Sequence, residues 1–181
     1  MSLKQQFALM ADYNAWMNIE LYTHASKLVP ETRRQDMGAF FGSIESTLNH
    51  ILVADIVWLR RFESHPSAFA TLKNLSDFPH PESLGRLLFD EFTLLHESRK
   101  NMDALLIRFI EETDEQDYDV PLHYRNSKGM PFTKPFGPLL MHLFNHQTHH
   151  RGQASALFNQ LGVDIGVTDL LPRIPDQLKA M

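Results

Sequence analysis

Four of the ten histidines in this chain fall in the run His142-Leu143-Phe144-Asn145-His146-Gln147-Thr148-His149-His150-Arg151-Gly152-Gln153. His142, His146 and His150 recur at every fourth position. On a helix that step turns about 400° and rises about 6 Å, so the imidazoles stack along one face. Two imidazoles at i and i+4 can close on one metal ion, as in the HExxH zinc motif. Set His146 at zero and advance about 100° per residue: His142 falls near −40°, His150 near +40° and Gln153 near −20°. Leu139, Leu143, Ala154, Leu157 and Leu161 share that sector, and His149 lies on its shoulder. Neutral imidazoles on such a face need partners that Leu and Ala do not supply, and charging them there is costly. A shared cation resolves both difficulties.

The chain has no cysteine. That excludes disulfides, thiolate ligands and a cysteine nucleophile, so a metal must be held by histidine, carboxylate or water. One helix supplies two ligands, and a third must come from elsewhere. The residues offer His50 or Asp55 in the second helical segment, His24 in the first and His96 in the third. Asp55 sits on the main apolar stripe of its helix. His50 is rotated by more than about 90° from that stripe, on a second flank with Val53, Ala54 and Val57. Periodicity leaves the choice between them open.

Four segments of helical period must position these residues. The first runs from about Leu3 to Leu28 and ends before Pro30. The second runs from about Met37 to Phe62, with Phe41, Ile44, Leu48, Ile51, Leu52, Leu59 and Phe62 as its stripe. The third follows Pro81 and runs from about Glu82 to Glu112. The fourth follows Pro138 and runs to about Leu161, where Gly162 is a natural stop. The expected class is all-α, a four-helix bundle in a single domain over residues 1–181. Its connections are long. His65 to His80 reads as a loop. Between Asp117 and Phe136, Tyr118, Val120, Leu122 and Tyr124 alternate with polar residues, and a turn at Asn126-Ser127-Lys128-Gly129 follows, which predicts a short β-hairpin. The tail from Gly162 to Met181 reads as an irregular arm that packs back through Ile165, Val167, Leu170, Leu171 and Ile174.

Composition narrows the partners. The net charge is −5, and adjacent basic residues occur only as the pairs Arg33-Arg34, Arg60-Arg61 and Arg99-Lys100. No basic stripe exists to neutralise a phosphate backbone, so nucleic acid is not an expected partner. No apolar run approaches the ~20 residues of a membrane span, and the first residues lack a signal-peptide core. The expectation is a cytoplasmic protein.

Several stretches along the chain resemble those of the DinB/YfiT-like family of metal-binding four-helix-bundle proteins. They are Tyr13-Asn14-Ala15-Trp16-Met17-Asn18; Leu48-Asn49-His50-Ile51 with Asp55 and Trp58-Leu59; Tyr124-Arg125-Asn126 with Gly129; Asn145 to Gln153; and the tail from Gly162 to Leu170. The His-x-x-x-His-Arg-Gly-Gln signature with an upstream helical histidine is the most specific of these. The resemblance implies one metal ligand from the second helix and two from the fourth, on His50, His146 and His150. His142 is then a packing residue or a support to the ligands. His149 is a hydrogen-bonding residue at the cavity edge or at a subunit interface. Gln153 could orient a ligand or a metal-bound water. Arg151 points about 140° from His146 and suits a structural ion pair.

Three neutral imidazoles leave a divalent ion with open positions, the arrangement of catalytic rather than structural sites. Zinc or nickel is the expected metal. The resemblance also implies chemistry with a low-molecular-weight thiol such as bacillithiol or mycothiol. The expected activity is thiol S-transfer, in which the metal ionises the thiol for attack on an electrophile. Tyr13, Trp16, Trp58 and Tyr124 are candidate pocket walls, although plain core packing also explains Trp16 and Trp58. One alternative is hydrolysis by metal-bound hydroxide, with Asp55 or Glu45 as base. Another is a non-catalytic stress protein in which metal staples two helices. A homodimer is expected from the broad apolar coverage of the second helix.

Overall fold

Ser2 starts the first helix. Its hydroxyl accepts from the Gln5 amide while the Gln5 side chain accepts from the Ser2 amide, a reciprocal cap that opens α1 (Leu3–Ser26). The computed structural model describes residues 1–176. A short α2 (Pro30–Arg34) follows, then α3 (Ile44–Phe62), α4 (Phe92–Glu112), strands β1 (Pro121–Arg125) and β2 (Pro131–Pro135), and α5 (Phe136–Gln160). α1 packs against α4 and α5, and α3 packs against α5 and α4. The core of this four-helix bundle lies along that closed ring, with Leu21, Leu48, Leu52, Phe62, Phe109, Leu143 and Phe158 fully buried.

Three helix boundaries differ from those the pattern predicts. The second long helix begins at Ile44, not Met37. Gly38 and Gly42 both adopt positive φ (75° and 77°), and an Ala39–Gly42 bridge closes the turn between them; the helix starts only where Ser43 caps the Ser46 amide. The third begins at Phe92, not Glu82. Residues 84–88 are drawn onto α3 instead. Asn49 donates to the Arg86 carbonyl and accepts from the Leu88 amide, and His50 takes the Leu84 carbonyl. The last begins at Phe136, which places Pro138 in the first turn, where its missing N–H leaves nothing unsatisfied.

The loop expected at His65–His80 holds a 3₁₀ segment, Ala70–Asp77, with Leu72 and Leu75 buried. Its i, i+3 apolar pair suits that tighter period, and its first amides donate to the Glu112 carboxylate. The hairpin is as predicted. β1 and β2 pair antiparallel from Pro121–Pro135 to Arg125–Pro131, around a turn in which the Asn126 side chain accepts from Lys128 and Met130. The arm after Gly162 packs back irregularly. Ile165 is buried, the Tyr13 hydroxyl donates to the Thr168 carbonyl at 2.6 Å, and Arg173 pairs with Asp12. The end of the expected arm, from residue 177 on, lies outside the described residues.

A buried polar network ties the four long helices together. Arg99, 1% exposed, bridges Asp55 at 2.5 Å and Asp103 at 2.8 Å. Asp103 also accepts from Asn14 and Asn18. Gln147 donates to Asp55 at 2.7 Å, and Arg151 donates to Asn14. No helix of the described residues is long and apolar enough to cross a membrane.

Candidate metal centre

α3 runs beside α5, and their shared flank brings three imidazoles to one point. His50 Nε2 lies 3.3 Å from His146 Nε2, and His146 Nε2 lies 3.1 Å from His150 Nε2. Each ring offers one ligand atom, and all three atoms fall within 4.8 Å of one another. Two nitrogens bound to one zinc at about 2.05 Å and a tetrahedral angle lie about 3.3 Å apart. The spacing therefore suits a common ion.

The outer nitrogens fix which atoms point inward. The Leu84 carbonyl can only accept, so His50 Nδ1, 2.8 Å away, carries the proton. His150 Nδ1 donates to Gln153 Oε1 at 2.8 Å, while the Gln153 amide nitrogen faces His149 Nε2 at 3.2 Å. A neutral imidazole has one proton. His50 and His150 thus present bare Nε2 lone pairs toward His146. One N–H on His146 is the most that could face them, and His146 Nδ1 is already buried without a partner. The donor set fits a divalent transition ion, which would accept all three lone pairs at once.

Electrostatics keep these rings neutral. Burial pulls His146 down to about 3, helped by the neighbouring His150, His50, His142 and His149. Burial also lowers His50 against the opposing bond to Leu84, and lowers His150 against the opposing bond to Gln153. Phe41 closes the outer side of the triad. It stacks on His50 at 3.8 Å and meets His150 edge-on at 5.5 Å.

A cavity of about 720 Å³ opens from the triad along the α3–α5 flank. His50, His146, His142, Trp58 and Arg61 line one side; Leu84 and its neighbours, with Asn126 and Ser127 of the hairpin turn, line the other. Trp58 meets His142 edge-on at 5.0 Å. Tyr124 stands behind Trp58 at 5.5 Å and does not line this cavity.

The other sequence candidates sit elsewhere. Asp55 points into the core, held by Arg99 and Gln147. Glu45 is consumed by Arg33 and Arg34. Neither is a free base beside the triad, which corrects the role considered for them in hydrolysis. Tyr13 and Trp16 do not line the cavity at the triad: both pack at the C-terminal arm, where Arg173 lies over Trp16. His24 bonds back to the Glu20 carbonyl, and His96 packs on Tyr22 and Phe92. Arg151 donates to Asn14 and Thr148 rather than to a carboxylate. Sequence reasoning missed Phe41, Leu84 and Arg61. The glycines flanking Phe41 were the available sign that it lies in a turn, free to fold over the site.

Four long helices, a hairpin ahead of the last and a histidine triad between the second and fourth long helices define a class of helical bundle whose three imidazoles could hold a metal ion. The chain belongs to the DinB family, whose model matches residues 1–176. Protein DinB of Bacillus subtilis (strain 168) is 26% identical over 160 residues, covering 87% of each chain. The fold is shared with a DinB-like protein from Bacillus cereus ATCC 10987, whose crystal structure matches with a TM-score of 0.59 at 18% identity, over 83% of this chain and 89% of that one.

Proposed function

We propose that this protein is a metal-dependent thiol S-transferase in which His50, His146 and His150 hold a divalent ion, zinc or nickel. The observation that carries the reading is the convergence of their Nε2 atoms with the outer nitrogens of His50 and His150 already engaged. When bound, the ion would supply a thiolate at neutral pH from a thiol in an open coordination position.

The chain's own residues do the rest. Leu84 and Gln153 fix the tautomers of His50 and His150. Phe41 shields the triad from one side, so a ligand enters from the cavity. Trp58 and His142 offer flat apolar faces for the electrophile or the carbon skeleton of the thiol. Thiol chemistry is favoured over hydrolysis because the cavity offers no spare carboxylate to act as base. Its carboxylate, Glu82, is paired with Arg86, and Asp55 and Glu45 are tied elsewhere.

The test is thiol-dependent consumption of monobromobimane by protein loaded with zinc or nickel. Turnover above the uncatalysed rate, lost with chelator and in His146→Ala, is expected. Hydrolysis of esters or amides without thiol, and no bimane turnover, would overturn the proposal.

A further inference from the structure

Arg61 lies eleven residues beyond His50 on α3, which is about 16 Å along the axis and within about 20° of the same face. It therefore stands at the far end of the cavity from the triad. Its guanidinium lies over the Trp58 ring at 4.5 Å and near the Tyr124 ring at 5.5 Å. Arg61 also lines a second cavity of about 500 Å³ under the hairpin, together with Arg60, Arg125, His123, Ser64 and Thr133. No carboxylate residue lines this second space.

Among the described residues, none of these three arginines forms an ion pair. Arg125 donates only to the Gly129 carbonyl. Arg60 donates only to the Phe78 carbonyl, and its Nε is buried without a partner. In a chain of net charge −5, three guanidiniums gathered without an acid make a local positive site. Guanidiniums grip carboxylates and phosphates through paired N–H donors.

We propose that Arg60, Arg61 and Arg125 form a subsite for the anionic end, carboxylate or phosphate, of the small molecule whose other end reaches the histidine triad. On the thiol reading above, on which this rests, that molecule is an extended anionic thiol. Sulfur sits at the triad, the skeleton lies along Trp58 and His142, and the anion sits at the arginines.

Calorimetric titration of zinc-loaded protein tests this with four probes: glutathione, its diethyl ester, S-methylglutathione and pyrophosphate. In the wild type, esterification is expected to weaken binding at least tenfold, and pyrophosphate is expected to compete with glutathione. In Arg61→Gln, acid and ester bind within threefold of each other. Arg125→Gln, at an exposed hairpin position that leaves the core untouched, behaves the same way and guards against a folding defect. The proposal is overturned if acid and ester bind the wild type alike, if the preference survives both substitutions, or if neither glutathione nor pyrophosphate binds. The thioether separates the two readings. If it binds as tightly as glutathione with the same arginine dependence, the thiol reading fails and the anion site stands.

Discussion

At the level of single residues, the centre depends on where each imidazole keeps its proton. His146 sits between His50 and His150, its Nε2 within 3.3 Å of the Nε2 of each. His146→Ala should abolish stoichiometric zinc uptake, whereas His24→Ala, whose ring bonds to its own helix, should leave one ion per chain. Elemental analysis of both proteins, reconstituted and desalted, reads this directly. Gln153 is not itself one of the proposed ligands, but its Oε1 accepts from His150 Nδ1 at 2.8 Å. Gln153→Leu should weaken zinc affinity about 10- to 100-fold with the helical circular dichroism unchanged. Equal affinity in a competition titration would show that the amide does not set the tautomer.

Helix by helix, the site is the product of two faces and two coverings. The spacing of His142, His146 and His150 was legible because a helix converts a four-residue repeat into one face. The position of His50 was not legible from periodicity. Asp55 occupied the better stripe, and only the family resemblance pointed to His50. The structure gives the reason: the main stripe of α3 faces the core, where Asp55 meets Arg99, while the flank with His50 and Ala54 opens on the cavity. The coverings were hidden for another reason. Phe41 and Leu87–Leu88 fit helical patterns. Positive-φ glycines hold Phe41 in a turn, and Asn49 and His50 draw the chain at 84–88 onto α3. The hairpin was visible because strand alternation and a turn sequence coincide there.

The same scale carries the stability of the bundle. Arg99 is buried between Asp55 and Asp103, so Arg99→Met leaves two buried carboxylates unopposed. A loss of about 3–5 kcal/mol in urea unfolding is expected. A change under about 1 kcal/mol would show that the network is not what joins the helices.

For the molecule as a whole, the triad links folding to pH and to metal. Burial lowers His50, His146 and His150, with His146 reaching about 3. An unfolded histidine titrates near about 6.5. Between about 6.5 and 3 the unfolded chain therefore binds a proton at His146 that the folded chain does not, and stability rises with pH across that window. Burial raises Asp103 to about 6, which works in the opposite direction, so the comparison that reads the triad is with His146→Ala. Metal-free wild type should lose more melting temperature below about pH 6.5 than His146→Ala does, and identical pH profiles would contradict the buried, neutral triad. Zinc at a hundred times its dissociation constant should add about 2.7 kcal/mol at pH 7. For a chain of this size that raises the melting temperature by roughly 5–10 °C, and chelator should reverse it.

X-ray absorption at the zinc edge of protein loaded with one equivalent tests the shared ion most directly. Three imidazole nitrogens at about 2.0–2.1 Å, with ring scattering that disappears in His146→Ala, is the expected result. A spectrum dominated by carboxylate or water oxygens, or one unchanged by that substitution, would place the metal elsewhere and contradict the centre described here.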